Sequence, residues 1–244
     1  MITATVLTKN SQKTLQKTLD SLKTLPEVIV LDSGSTDQTL AIAARYPNVT
    51  VHNSPFLGFG PMHNYAVKLA SNDWILSIDS DEVLSQELIH ELSTLSPNPK
   101  TVYKLQRHNY FNGKLIKWCG GWHPDFVIRF FNRKTTQFTN DLVHERVDDE
   151  GLSIKTLESP LLHTPYLEIS DFIDKMQHYS ELFTDQNEGK TASLFQALIH
   201  GWYAFFKSYI LKRGFAGGKE GFVISMYNGH CTFYKYLKLA MKAR

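Results

Sequence analysis

Trp74-Ile75-Leu76-Ser77-Ile78-Asp79-Ser80-Asp81-Glu82 is the stretch that decides the fold. Four of its first five residues are apolar, as in a strand buried on both faces of a parallel sheet, and it runs straight into two carboxylates one residue apart. Open α/β sheets hold their ligands at the carboxyl ends of such strands. Side chains alternate along an extended chain, so Asp79 and Asp81 fall on the same side and can share one hard cation. Mg²⁺ or Mn²⁺ takes one or two carboxylates and fills its shell with phosphate oxygens and water. The bare tripeptide equally describes a strand that ends in solvated, turn-favouring acids, so its surroundings must distinguish the two.

Upstream the same unit repeats. Residues 2–8 are β-branched and apolar, and Ser11 is placed to cap a helix over Gln12 to Lys23 with Leu15, Leu19 and Leu22 on its apolar face. Pro26 stops that helix, Glu27 to Leu31 reads as a second strand, and Asp32-Ser33-Gly34-Ser35-Thr36-Asp37 is its exit loop. A helix from Gln38 to Arg45, a strand over 49–52, a Gly58–Pro61 loop and a helix from Met62 to Ala70 lead into the quoted strand. Alternation of this kind predicts a parallel sheet with helices on both faces, a Rossmann-like nucleotide-binding half over residues 1–96. Residues 97–166 read as an acceptor-side half with strands at Val102 to Gln106, Val127 to Phe131 and Leu142 to Val147. From 167 to 244 the chain reads as helical, basic and aromatic.

At 244 residues with 42% hydrophobic content, the chain can bury a substantial core, which excludes disorder. Its two cysteines, Cys119 and Cys231, have neither metal-ligand spacing nor the density of a disulfide framework, which fits a reducing cytoplasm. Met1-Ile2-Thr3-Ala4 lacks a basic leader region and reads as a strand, so no signal peptide is expected. The net charge of +2 is unevenly spread. Between His200 and Arg244, Lys207, Lys212, Arg213, Lys219, Lys235, Lys238, Lys242 and Arg244 face one acid, Glu220, a local charge of +7. Interleaved with Trp202, Tyr203, Phe205, Phe206 and Tyr209, these bases suit a helix lying among anionic headgroups; a plain helical cap is the alternative.

Thr8-Lys9-Asn10, Asp32 through Asp37, Gly58 through Asn64 and Asp79-Ser80-Asp81 together resemble the family 2 glycosyltransferases, whose GT-A fold transfers sugar from a nucleoside diphosphate. Trp122-His123-Pro124-Asp125, Val127 through Phe131, Leu142-Val143-His144-Glu145 and the tail from Lys212 look like the bacterial lipopolysaccharide-core members that add a sugar, often β-glucose, to inner-core heptose. The likeness covers nearly the whole chain.

That resemblance implies a role for each matching position. Thr8 and Asn10 would line the nucleoside pocket, Asp32 would accept from the uracil imide, and Asn64 would lie near the diphosphate. Asp79 would hold ribose or metal, Asp81 would be the direct metal ligand, and His163 would complete the shell unless it is a core histidine. Arg129 would clamp phosphate or sit in a structural ion pair. Displacing a nucleoside diphosphate from an anomeric carbon needs a cation against the growing charge and one carboxylate to take the acceptor's proton from the opposite face. Glu145 is the first candidate for that base and Asp125 the second, although a charged strand end and a post-proline turn would explain them too. Trp118 and Trp122 suit sugar stacking or core packing alike. Family members often carry Gln-Lys before the asparagine where this chain has Met62-His63, which removes a fixed cation near the donor.

The implied activity is metal-dependent, inverting transfer of a hexose, glucose from UDP-glucose, to heptose of a lipid-linked acceptor, by a cytoplasmic protein held peripherally at the inner face of the membrane. Two other functions compete for these features. A sugar-phosphate nucleotidyltransferase needs a glycine-rich basic loop after the first strand, and Thr8 to Lys13 has no glycine. A nucleic-acid-binding module would use the basic aromatic tail, but the carboxylates at the strand ends repel phosphates unless metal intervenes, so no nucleic-acid partner is expected.

Overall fold

In the computed structural model, which describes residues 1–142 and 144–242, β1 (Ile2–Thr8), β2 (Glu27–Asp32), β3 (Val49–Asn53) and β4 (Trp74–Asp79) lie parallel in the order β3-β2-β1-β4. Alternate residues of these strands serve two different cores. Ala4, Val6, Val28, Val30, Leu76 and Ile78 pack with Leu15 and Leu19 of α1 (Leu15–Ser21) and Ile42 of α2 (Thr39–Ala43). Leu31 meets Met62 and Ala66 of α3 (Phe59–Leu69), while Ile75 packs with Val67 and Ala70. Burial on both faces is why these strands read as apolar runs. All their carboxyl ends therefore open on one edge, with Thr8, Asp32 and Asp79 at the tips.

β5 (Glu82–Leu84) and α4 (Gln86–Thr94) follow, the helix capped by the Ser85 hydroxyl accepting from Leu88 N–H at 3.1 Å. Next come β6 (Thr101–Phe111), β7 (Lys114–Leu115), β8 (Asp125–Asn132), β9 (Ser153–Thr156) and β10 (Leu161–Tyr166). The sheet continues past β4 as β8-β6-β10-β5, with β8 antiparallel to β4. Helices α5 (Ile169–Gln186), α6 (Leu194–Phe206) and α7 (Gly218–Lys242) complete the chain, and one π-helical turn over Lys207–Leu211 extends α6. No helix among the described residues is long and apolar enough to cross a membrane.

Two compact units result. Residues 1–107 with 126–163 form the first, and 108–125 with the chain from 164 onward the second. Residues 108–125 thus group with the C-terminal helices, where Phe111, Ile116 and Trp122 share a core with Tyr166, Phe172 and Ile224.

The strand expected over Leu142 to Val147 does not form among the described residues, Val143 lying outside them. Only an isolated bridge joins Phe138 to Val147. The backbone there is committed elsewhere: Phe59 N–H donates to the Leu142 carbonyl at 3.0 Å and Gly60 N–H to that of Asp141 at 3.0 Å. The expected Gly58–Pro61 loop is instead largely the first turn of α3, a position that tolerates Pro61 because an amide there needs no helical partner. Of the basic tail, Arg244 also lies outside the described residues.

Candidate active site

The donor-side candidates sit in two adjoining exit loops. Asp32, 1% exposed, closes β2 and accepts from Gly34 N–H at 2.9 Å, Ser35 N–H at 2.8 Å, Thr8 Oγ1 at 3.0 Å and the Ser35 hydroxyl. Burial pushes its carboxyl up, but the donors from Ser35, Gly34 and Thr8 outweigh that and leave its pKa lowered. Asn10, at a left-handed φ of 51°, donates its N–H to Ser35 Oγ at 2.8 Å and accepts from Thr36 N–H at 2.8 Å, tying the β1 loop to the β2 loop. An acceptor whose charged form is favoured by its donors therefore stands at the floor of a preformed loop. Asp32→Ala is expected to raise the KM for a UDP-sugar several-fold while kcat largely persists, since the lost contact serves ground and transition states alike. A collapse of kcat at unchanged KM in steady-state assays would contradict a nucleoside-binding role.

At the tip of β4 the two acids diverge. Asp79 pairs with the Arg129 guanidinium, which is 7% exposed and also lies 3.2 Å from Glu82 Oε1. Arg107 adds a second guanidinium, 3.2 Å from Glu82 and 3.9 Å from Asp79. Glu82, fully buried, also accepts from the Asp79 N–H at 2.8 Å and so fixes the turn between the acids. Burial opposes the charge on Asp79, yet Arg129, with His63 and Arg107 helping, holds its carboxyl down at about 2. Asp81 has its Oδ1 3.5 Å from Nε2 of His163, which β10 brings in by pairing His163 opposite Glu82 on β5.

An oxygen and an imidazole nitrogen at that spacing fit a divalent cation that draws its other ligands from phosphate and water. No group of three or more His, Cys, Asp or Glu suited to a metal occurs among the described residues; of the candidates, Asp81 and His163 stand together and would hold it.

Glu145 lies in the same unit, following His144 at a left-handed φ of 66°. Its Oε1 is 3.7 Å from Nε2 of His63, a ring stacked on Phe138 at 4.3 Å whose Nδ1 lies 3.3 Å from Ser77 Oγ. Burial holds His63 down at about 4, so it is neutral at working pH. Burial, reinforced by the charge on Asp79, pushes the Glu145 carboxyl up. A half-buried carboxylate with a raised pKa against a neutral ring is the environment of a general base. Asp125 belongs to the second unit, where Asn109 Nδ2 donates to it at 3.0 Å and to the Trp122 carbonyl at 2.7 Å.

Asn64 faces the loop that leads to Glu145. It donates to the Phe138 carbonyl at 2.9 Å and to Asn140 Oδ1 at 3.2 Å, and accepts from Phe138 N–H at 2.9 Å. Beside it a Cβ on Gly60 would stand 2.1 Å from the Thr139 carbonyl oxygen, so glycine alone permits this approach. Asn64→Ala should lower stability by roughly 1–3 kcal/mol, because it strands a buried peptide group, and should reduce kcat as the loop loosens. An unchanged denaturation midpoint with a raised donor KM would assign Asn64 to the diphosphate instead.

Sequence reasoning overlooked Glu82, Arg107 and His63. An acid directly before the apolar pair Val83-Leu84 was the available signal for Glu82. His63 registered only as a missing cation.

The family model for glycosyl transferase family 2 matches residues 3–153, and a Rickettsia felis protein described as an uncharacterized glycosyltransferase is 31% identical across 98% of this chain and 89% of its own length. The chain belongs to glycosyl transferase family 2, and is an enzyme of that family with a GT-A fold and a C-terminal helical appendage. The Rhizobium meliloti lipopolysaccharide core biosynthesis glycosyltransferase LpsC is 27% identical over 100% of this chain and 94% of its own. Among solved structures, the mannosyltransferase PcManGT of Pyrobaculum calidifontis, in complex with GDP-mannose and Mn²⁺, matches 100% of this chain and 75% of its own with a TM-score of 0.52 at 16% identity, a likeness of fold.

Proposed function

We propose that this enzyme transfers glucose from UDP-glucose to a heptose of a lipid-linked lipopolysaccharide core, with inversion and with a divalent cation, Mg²⁺ or Mn²⁺. The observation that carries the reading is the division of labour at the end of β4: Arg129 occupies Asp79 while Asp81 faces His163. The relation to LpsC supports the choice of acceptor.

The loops of Thr8, Asn10 and Asp32 receive the nucleoside, and Asp32 accepts its imide N–H. Asp81 and His163 would hold the cation, which would supply positive charge against the departing diphosphate. Glu145 accepts the proton of the acceptor hydroxyl as that oxygen bonds to the anomeric carbon and the bond from that carbon to the diphosphate oxygen breaks. One displacement from the face opposite the leaving group inverts the anomeric centre. Arg129 and Arg107 keep Asp79 ionised and, together with Glu82, hold it in place, so the loop geometry persists as donor enters and leaves. The basic, aromatic C-terminal region keeps the enzyme at the inner membrane face, where a lipid-linked acceptor is presented.

Purified protein incubated with Mn²⁺, a heptose-ended core oligosaccharide and, separately, UDP-glucose, UDP-galactose, UDP-N-acetylglucosamine or GDP-mannose tests this directly. Nucleoside diphosphate release should be greatest with UDP-glucose. Preference for GDP-mannose would overturn the uridine reading, and release independent of the heptose acceptor would overturn the acceptor.

A further inference from the structure

Helix α6 is built inside out for a helix in water. It buries its small residues, Ala197 and Gly201, one turn apart. A Cβ on Gly201 would stand 2.8 Å from Cβ of Phe233 and 3.1 Å from the Gly229 carbonyl oxygen, so glycine is what lets α6 lie this close to α7. The large apolar residues face the other way: Phe195, Leu198, Ile199 and Trp202 are 70%, 60%, 50% and 72% exposed. Their spacing of three, four and seven places them on one stripe, opposite Ala197 and Gly201. A helix on a water-soluble domain turns that stripe inward. Small residues inward and bulky apolar residues outward is how helices pack in lipid.

Charge narrows the partner. No acidic residue occurs from Gly189 to Lys219, whereas Lys190, Lys207, Lys212, Arg213 and Lys219 are basic. Within α7 the picture differs, because Lys238 lies 3.7 Å from Glu181 and Lys242 2.8 Å from Asp185, both on α5. The acid-free cationic stretch therefore brackets the apolar stripe in sequence and is not confined to the end of the chain. At 13 residues α6 is about 20 Å long, too short to cross a bilayer but suited to lying in its surface.

We propose that the Phe195–Leu198–Ile199–Trp202 stripe inserts into the headgroup–acyl boundary of an anionic phospholipid bilayer, and that this apolar contact is the main anchor, with the flanking bases choosing the lipid. The inference deepens the membrane-facing part of the proposed function and rests on it only for its purpose.

Flotation of the full chain with phosphatidylcholine vesicles containing phosphatidylglycerol tests it. Wild type should stay largely bound in about 0.5 M salt, where exposed charges are screened within a few ångström. Phe195→Glu/Trp202→Glu should lose binding by about tenfold or more, with circular dichroism and transfer to a soluble acceptor unchanged; Leu198→Gln, a milder change, should show a smaller loss in the same direction. Lys207→Gln/Lys212→Gln/Arg213→Gln should lose only the salt-sensitive part. Complete release of wild type by salt, or equal binding by the glutamate variant, would overturn the proposal. So would a wild type that dimerises without vesicles and ignores them, since a second copy would then cover the stripe. Vesicle binding without sugar transfer would count against the enzymatic reading and leave this one standing.

Discussion

Glu145→Gln is expected to bind donor and metal as wild type does and to lose turnover by about 10²-fold or more, the usual scale for removing a general base. The amide keeps the shape of the side chain beside His63 and removes only its capacity to take a proton. The pH profile provides the sign. A base works when ionised, so activity is present above its pKa and lost as pH falls through it; burial and the charge on Asp79 raise the Glu145 carboxyl above the ordinary 4.5. Wild-type kcat should therefore fall on acidification with a midpoint above that value, and Glu145→Gln should lack this limb. His63, held at about 4, does not titrate near neutrality and cannot supply it. Asp125→Asn should be much milder. If Asp125→Asn is the inactive variant and Glu145→Gln turns over near-normally, the base is Asp125.

Asp81→Ala should abolish transfer while leaving thermal unfolding close to wild type. Its carboxylate lies outside the Asp79–Glu82–Arg107–Arg129 cluster, so its loss breaks no buried pair. Mn²⁺-dependent tightening of UDP binding, measured by calorimetry, should vanish with it. Asp79→Ala should behave differently and lower stability, because it leaves Arg129 and Arg107 with only Glu82 between them. Equal turnover in Asp81→Ala and wild type would end the metal-ligand assignment, as would equal destabilisation by both substitutions.

The two halves of the sheet differ in how far sequence foretells them. The run from β1 to β4 was legible because strands buried on both faces are nearly continuous apolar stretches, and each helix between them carries a periodic face. Helix ends were less so: α1 spans Leu15–Ser21 rather than Gln12 to Lys23, because the Ser11 carbonyl first accepts from Thr14 and Leu15 N–H in a turn. Beyond residue 97 the strands expected over Val102 to Gln106 and Val127 to Phe131 form within β6 and β8, but elsewhere local signals point the wrong way. β9 is exposed along its whole length and shows no alternation, and β10 contains Pro165, which argues against a strand. The run from Leu142 to Val147 reads as a strand, but the carbonyls of Asp141 and Leu142 are committed to the start of α3.

Site residues followed the same division. Asp32, Asp79 and Asp81 announced themselves as acids at strand ends. The contact of His163 with Asp81 depends on β10 pairing with β5, and that of Glu145 with His63 on a loop stitched to α3 by Asn64; both are tertiary facts. The basic tail was legible as charge but not as structure, since only the packed helices show Lys238 and Lys242 turned toward α5 and the apolar stripe of α6 turned outward.

The most direct test of the account is the anomeric configuration of the product and its dependence on cation. Transfer from UDP-glucose to a heptose-ended core acceptor, followed by proton NMR of the product, should show a β-linked glucose formed with Mn²⁺, none in excess EDTA, and recovery when Mn²⁺ is restored. An α-linked product, or undiminished transfer in EDTA, would contradict single-step displacement at a cation held by Asp81 and His163.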